Sequence, residues 1–171
     1  MNPKSIEKKD AAPFFLIEKR GKDKRYTAWS GDLDQIKKLY GSLIDQFSED
    51  IEILFKIKKE EKKTWENYYG KNNLSDLKRT IQKREEWFFC DGEVQISVKR
   101  IDTGEYLTFD EHGVLYLYAD PSKNYAATFK AAGFQEEQEA AVFEEGHWHI
   151  SPKDSEKYRA DFLRELHLEK V

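Results

Sequence analysis

The chain has 171 residues, of which 36% are charged and 14% aromatic, and its 29 Lys and Arg against 33 Asp and Glu give a net charge of −4. So many aromatic residues exclude an intrinsically disordered protein, which cannot bury enough apolar surface to fold. No apolar run approaches the roughly 18 residues that span a bilayer, and the polar, basic N-terminus lacks the apolar core of a secretory signal. We therefore expect a cytoplasmic protein with a mobile arm over residues 1–12 and a single domain over residues 13–171.

The N-terminal part of this domain predicts a hairpin, a helix and a strand. Residues 14–20 and 25–29 flank a glycine-containing turn, which is typical of two antiparallel strands. Asp32 is the expected N-cap of a helix, since apolar residues recur behind it at helical spacing as far as Phe47. Residues 51–57 alternate between apolar and polar side chains, which predicts a strand with one buried face.

The central part predicts a second helix and a three-stranded meander. Residues 58–73 are polar and basic, and we assign no helix or strand to them. Ser75 is the expected cap of the helix that follows. Strands are then predicted at three segments joined by glycine-containing turns, which are residues 94–100, 106–109 and 114–118.

The C-terminal part predicts two more helices. Residues 123–132 read as a helix that ends at Gly133. The acidic stretch 135–145 fits a helix and a strand equally well, whereas residues 147–150 are short and extended. The Ser-Pro pair at 151–152 predicts the start of the last helix. This order predicts an α+β fold, in which an antiparallel sheet of N-terminal hairpin, central strand and meander carries helices mainly on one face.

No catalytic or nucleotide-binding motif accompanies these elements. The sequence contains no nucleophile elbow and no glycine-rich phosphate loop. Cys90 and His112 have the chemistry of a nucleophilic thiol and its general base. A lone cysteine at the apolar end of a strand, however, is commonly an inert core residue. Asp110 and Glu111 stand in a predicted hairpin turn, where such residues are common for conformational reasons. We therefore expect a protein without catalytic residues or a cofactor.

His147 and His149 have the spacing of metal ligands. Residues i and i+2 of a strand face the same side, so both imidazoles could reach one ion, with His112, Glu144 or Glu145 completing the ligand set. Four ligands with matched spacing are not visible, and two histidines that flank a tryptophan also suit a sheet surface. The sequence therefore predicts no metal site and leaves this pair as the weak candidate ligands.

Charge is unevenly distributed along the chain. Residues 1–85 carry 20 Lys and Arg against 15 Asp and Glu, whereas residues 86–171 carry 9 against 18. An acidic C-terminal half without catalytic motifs favours a non-catalytic protein that binds another protein, for example an inhibitor or immunity-type protein that blocks a basic enzyme. The candidate partner-binding residues are the aromatic anchors and carboxylates Trp65, Tyr68, Tyr69, Asp110, Glu111, Tyr116, Tyr118, Glu144, Glu145 and Trp148.

A nucleic-acid-associated regulatory protein is the first alternative. Residues 56–84 hold ten Lys and Arg against four Asp and Glu, interleaved with aromatic residues, and these are the ingredients of single-strand binding. The pI of about 5.7 argues against it. The candidate phosphate-binding residues are Lys62, Lys63, Lys71 and Arg79.

A metal- or carboxylate-dependent hydrolase is the second alternative. The 33 carboxylates of the chain include many that will meet in space. Sequence does not say which two lie at a catalytic separation, so this alternative stays open.

Overall fold

A computed structural model describes residues 12–138 and 150–171 of the chain. The strands in these ranges are β1 (Phe14–Arg20), β2 (Asp23–Trp29), β3 (Asp50–Lys59), β4 (Thr64–Asn73), β5 (Val94–Arg100), β6 (Tyr106–Phe109), β7 (Leu115–Ala119), β8 (Gln135–Glu136) and β9 (Glu169–Lys170). The α-helices are α1 (Leu33–Ile44), α2 (Leu74–Gln82), α3 (Glu85–Cys90), α4 (Ala126–Ala131) and α5 (Ser155–Glu165). Not one of these helices has the length and apolar character needed to cross a membrane.

The strands form one open, mostly antiparallel sheet with the order β8-β1-β2-β7-β6-β5-β3-β4-β9. Among the described pairs, β1 and β8 run parallel and the others antiparallel. Strands β1 to β4 come from the basic half of the chain, and β5 to β9 come from the acidic half. Because the sheet interleaves blocks of strands from the two halves, with β7, β6 and β5 between the pairs β1-β2 and β3-β4, the basic and acidic halves do not form separate lobes.

The helices cover one face of the sheet, where the apolar core lies. Ile51, Ile53, Phe55 and Ile57 of β3 point toward this face and are at most 4% exposed. Buried residues from all five described helices belong to the same apolar cluster. Burial of one such side chain contributes roughly 1.5–3 kcal/mol, so packing against the helices is what stabilises the sheet.

The predicted α+β class is confirmed, and so are several of its parts. The N-terminal hairpin is paired along its whole length, from Phe14 with Trp29 to Arg20 with Asp23 at the turn. Strands β5, β6 and β7 form the expected meander. Asp32 caps α1, since its side chain accepts a hydrogen bond of 3.0 Å from the backbone N–H of Asp34. The helix ends at Ile44, so the buried Phe47 lies beyond it rather than within it.

Strand β4 is the largest departure from the expected arrangement. Residues 58–73 have no apolar alternation, yet Thr64–Asn73 pairs with all ten residues of β3. The strand lies near the edge of the sheet, where only the two-residue β9 follows it, and its side chains are half-buried or exposed on both faces. Long-range backbone pairing therefore makes this segment a strand although its side chains show no strand pattern.

The helix boundaries also required correction. Asn73 rather than Ser75 caps α2, because its side-chain oxygen accepts a 2.7 Å hydrogen bond from the backbone N–H of Asp76. The apolar residues after α2 form a separate helix, α3, and Cys90 is the last residue of that helix rather than the end of a strand. Helix α5 begins at Ser155, three residues after the expected position.

A buried ion pair joins α5 to the start of β5. The Arg159 guanidinium donates to both carboxylate oxygens of Asp91 at 2.8 Å and to Glu93 at 2.7 Å. Asp91 is fully buried and also accepts hydrogen bonds from the Trp87 indole and the Ser151 hydroxyl. Burial raises the pKa of Asp91, but the bonds and charge of Arg159 outweigh burial and leave that pKa lowered. The ion pair therefore joins α5 to the segment between α3 and β5, which lies far from it in sequence.

Candidate functional site

The second face of the sheet, which we call the open face, carries polar and aromatic side chains. Directly paired residues of antiparallel strands share a face, so the register places two rows of side chains across seven strands. The first row is Leu16, Thr27, Tyr116, Thr108, Ser97, Leu54 and Tyr69. The second row is Glu18, Arg25, Tyr118, Tyr106, Lys99, Glu52 and Lys71. The helices of residues 12–138 and 150–171 pack on the opposite face, so none of them covers these rows.

Three tyrosines and an arginine contact one another at the centre of the open face. The rings of Tyr106 and Tyr118 stack with centroids 4.4 Å apart. The Arg25 guanidinium lies 5.5 Å from the Tyr116 ring centroid and is held by Glu18 at 2.6 Å. Side chains that are already ordered lose little conformational entropy when a ligand binds, so this cluster is pre-organised for contact.

A groove of about 530 Å³ runs over these tyrosines. Its floor includes Lys56, Gln95, Ser97 and Thr108, which project from β3, β5 and β6. The Ser97 and Thr108 hydroxyls are hydrogen-bonded to each other at 2.7 Å. The groove thus offers hydroxyl, amide and ammonium groups beside aromatic rings, which suits a polar ligand surface better than an apolar one.

The β6–β7 turn, residues 110–113, borders this groove and is held in a defined conformation. The Asp110 carboxylate accepts hydrogen bonds of 2.9 Å from the backbone N–H groups of His112 and Val114. Gly113 has a φ of +77°, a conformation that residues with a Cβ rarely adopt. The turn thereby places Asp110, Glu111 and His112 along the groove.

His112 is electrostatically coupled to this turn. Its Nδ1 lies 3.5 Å from Asp110 Oδ2, and the hydrogen bond to Asp110 raises the pKa of His112 above its ordinary value of 6.5. The charges of Asp110 and Glu111 act in the same direction, while burial and Lys58 oppose them. The imidazole therefore holds its proton more firmly in the folded protein than in the unfolded chain.

We expect the contribution of His112 to stability to fall as the pH rises. With a raised folded-state pKa, its stabilising effect is fully present below the unfolded pKa of about 6.5 and is lost as the pH passes the folded-state pKa. Urea unfolding of the wild type and His112→Asn from about pH 5 to about pH 9 measures this effect. The difference in unfolding free energy should be largest at the acid end, and a difference that stays constant with pH contradicts the prediction.

Burial raises the pKa of two groove tyrosines. It raises the pKa of Tyr116 above its ordinary value of 10, and the nearby Asp110 adds to this effect. Burial also raises the pKa of Tyr106. Both hydroxyls are neutral at physiological pH, as an unshifted tyrosine is, and can donate as well as accept hydrogen bonds.

Cations without carboxylate partners lie on the β3–β4 side of the open face. The register pairs Lys56 with Asn67, Lys58 with Trp65 and Leu54 with Tyr69. Within the described ranges, no carboxylate oxygen lies within 4.0 Å of the Nζ atoms of Lys56, Lys58 or Lys71. Lys99, by contrast, pairs with Glu52 at 3.3 Å. We call the set Lys56, Lys58, Lys71, Trp65, Asn67 and Tyr69 the lysine strip.

The structure brings several of the sequence-derived partner-binding residues to the open face. Tyr69, Trp65, Tyr116 and Tyr118 lie on it by register, and Asp110 and Glu111 line its groove. Tyr68 is paired with the core residue Phe55 and so points to the helix-covered face, where its hydroxyl donates to Glu66 at 3.0 Å. Glu144, Glu145 and Trp148 lie outside the described residues.

The candidate phosphate-binding residues do not form one surface. Lys71 belongs to the open face, and Lys62 and Lys63 are exposed at the β3–β4 connection. Arg79 lies on α2, on the helical side of the sheet, where it is bonded to Asp76. A nucleic acid on the open face would therefore contact Lys71 but not Arg79.

The metal and thiol candidates are likewise separated. His147 and His149 fall outside the described residues. In the rest of the chain, ligand atoms of Asp110, Glu111 and His112 lie within 4.8 Å of one another, but one Asp110 oxygen already accepts two backbone N–H groups. Cys90 is buried in the helix-covered core, whereas His112 lines the open-face groove, so the two are not brought into one site.

Sequence reasoning missed six residues of the open-face groove, namely Arg25, Lys56, Gln95, Ser97, Tyr106 and Thr108. The polar positions of alternating strands were the available signal, because period-2 alternation assigns every second residue to the face away from the core. The alternation along one strand does not predict which strands are neighbours in the sheet, and that order determines which of these positions lie together.

Comparison with known proteins adds no further assignment. No protein-family model, no curated protein and no solved structure matches this chain.

Proposed function

We propose that this protein acts without catalysis by binding another protein through the open face. The observation that carries this proposal is a wide sheet face with a groove rich in tyrosine and hydrogen-bonding groups, on which no helix of the described ranges packs. Occlusion of the partner by binding alone is the action of an inhibitor or immunity-type protein, and we include that role in the proposal.

The chemistry of the open face supports a protein partner. Tyr, Trp and Arg are enriched at protein interfaces because they combine a large contact area with a polar group. Tyr106, Tyr116, Tyr118 and Arg25 supply such groups from three adjacent strands. They are ordered before binding by ring stacking and by the Glu18 ion pair, so binding need not order them.

The dimensions of the open face also favour a macromolecule. Seven strands about 4.8 Å apart make a face about 29 Å wide. A typical protein interface buries about 800 Å² on each partner. Leu16 and Thr27 at the β1–β2 end of the face are already buried, so the contact would lie on the strands from β7 to β4. A small molecule would occupy only the groove.

The location of the contact differs from that expected from the acidic C-terminal half. The sheet interleaves blocks of strands from both halves, and some of their charges meet in pairs such as Lys99 with Glu52 and Arg84 with Glu165. The acidic half of the sequence is therefore not a separate part of the fold. The proposal consequently rests on the composition of the open face.

Affinity capture from the native cell with immobilised wild-type protein, followed by mass spectrometry, tests the proposal. Tyr106→Ala/Tyr118→Ala removes the stacked pair from the centre of the open face and is expected to abolish capture of the partner. Tyr158→Ala is the matched control, because Tyr158 lies on α5 at the helical side, beside Trp87. All proteins are compared below their melting temperatures.

The supporting result is one stoichiometric protein that the wild type and the control both recover and that the open-face variant loses. In the purified complex, the segment from β6 to β7 should then gain protection from hydrogen exchange. Retention of the partner by Tyr106→Ala/Tyr118→Ala, or recovery of no stoichiometric protein, contradicts the proposal.

A second candidate function, single-stranded nucleic-acid binding, is favoured by one observation. Lys56, Lys58 and Lys71 share the open face with the half-buried rings of Trp65 and Tyr69, and cations beside aromatic rings suit phosphates and stacked bases. Binding of an oligonucleotide that weakens steeply with salt, and that Lys71→Glu reduces, would support this candidate.

A further inference from the structure

We propose that the lysine strip receives an acidic segment of the partner protein, whose carboxylates lie at Lys56, Lys58 and Lys71. This inference rests on the proposed function, because it names the chemistry of the partner that the open face binds. It adds a charge preference opposite to the basic partner expected from the acidic C-terminal half.

The three lysines of the strip are arranged along the direction of β3 and β4. Lys56 and Lys58 are two residues apart on β3, so they project from the same face about 7 Å apart. Lys71 lies on β4 opposite Glu52, four residues farther along the ladder from Lys56. The cations therefore follow the strand direction, and an extended segment that lies along the strands can reach all three.

The lysines of the strip differ from neighbouring cations in their ion pairing. Neighbouring cations already have partners, since Lys59 and Lys170 lie at 3.6 and 2.9 Å from Glu66 and Lys99 pairs with Glu52. Among the described residues, no carboxylate oxygen lies within 4.0 Å of Lys56 or Lys58, whereas Lys71 lies opposite Glu52 and interacts with its charge. An incoming carboxylate would gain the attraction of Lys56 and Lys58 without displacing an existing ion pair.

The charge count of the face also favours an acidic peptide over a nucleic acid. Three lysines neutralise about three phosphates, whereas proteins whose affinity is dominated by the phosphate backbone make about 6–10 such contacts. Glu52 and Glu111 stand on the same face or in its groove and would repel a continuous phosphate chain. A peptide can place its few carboxylates at the lysines alone.

The test uses the full chain and a fluorescein-labelled peptide of about ten residues in which glutamate alternates with serine, which is long enough when extended to cross the strip. Fluorescence anisotropy at low salt should show saturable binding by the wild type. Lys56→Glu/Lys58→Glu is expected to weaken this binding by about tenfold or more. Lys38→Glu/Lys153→Glu is the matched control, since both lysines are exposed elsewhere and the change in net charge is the same; its affinity should stay within about twofold.

Two outcomes overturn the inference. One is no binding by the wild type, or an equal loss in the two charge-reversal variants, which would mean that only net charge matters. The other is displacement of the labelled peptide by a single-stranded oligonucleotide at a lower concentration than the unlabelled acidic peptide requires, which would assign the strip to nucleic acid.

Capture experiments separate this inference from the proposed function. If Tyr106→Ala/Tyr118→Ala loses the partner while Lys56→Glu/Lys58→Glu retains it, the acidic-segment inference fails and the proposed function stands. If both variants retain the partner, both fail. Loss of the partner by both variants, with retention by both controls, supports both.

Discussion

Replacing Arg159 with alanine is expected to lower the free energy of unfolding by about 3–5 kcal/mol, because the substitution leaves a buried carboxylate without its cation. Asp91 is fully buried, and Arg159 donates to both of its oxygens at 2.8 Å. Urea unfolding followed by fluorescence and circular dichroism measures the loss. The lowered pKa of Asp91 adds a second signature, since the stabilisation it contributes is present above the unfolded pKa of about 3.9 and is lost as the pH falls through the lower folded-state value.

The control for this prediction is Arg164→Ala on the same helix. The Arg164 side chain is 71% exposed and bonds Asp161 at 2.7 Å, and exposed ion pairs contribute only about 0–1 kcal/mol. A loss in Arg159→Ala no larger than that in Arg164→Ala would show that the buried pair does not stabilise the fold. Asp91→Leu/Arg159→Met, which removes both charges, is expected to be more stable than Arg159→Ala alone.

Replacing Phe88 with alanine is expected to cost about 3–5 kcal/mol, as is usual when a buried phenylalanine is truncated and leaves a cavity. Phe88 is 1% exposed, and its ring lies 4.9 Å from that of Phe89 and 5.6 Å from that of Tyr40. It also meets rings from β6 and α5, namely Phe109 at 6.3 Å and Phe162 at 6.0 Å. Thermal and urea unfolding measure the loss.

Tyr69→Ala on the open face is the matched aromatic control. Tyr69 is only half-buried and lies on the face that the helices do not cover, so its truncation is expected to cost less than about 1 kcal/mol. Equal losses in the two variants would contradict the assignment of Phe88 to the core and of Tyr69 to a surface. The comparison therefore separates aromatic residues that stabilise the fold from those available for binding.

Elements with strong local patterns were predictable. The alternation over residues 51–57, the helical spacing after Asp32 and the glycines at the meander turns each reflect constraints within a few residues. These constraints are local because strand alternation, capping and turn conformation depend on neighbours in sequence. The corresponding elements β3, α1 and the β5–β7 meander accordingly appear where expected.

Elements that depend on distant partners were not predictable. The segment that forms β4 has no strand pattern, and its pairing with β3 makes it a strand. The N-cap residues of α2 and α5 are Asn73 and Asp154 rather than the expected Ser75 and Ser151. Among the aromatic candidates, only the register shows that Tyr69 and Tyr68, adjacent in sequence, lie on opposite faces of the sheet.

The near balance of 29 basic and 33 acidic residues, the lone cysteine, the α+β class and the local elements were determined by the sequence alone. The tertiary structure decided where the charges lie, because the strand order interleaves the basic and acidic halves and joins some of their charges in ion pairs. It also decided the candidate site, which collects Arg25, Lys56, Tyr106 and Tyr116 from four strands. The physical reason is that side-chain periodicity is local, whereas strand order and register are set by backbone pairing between segments far apart in the chain.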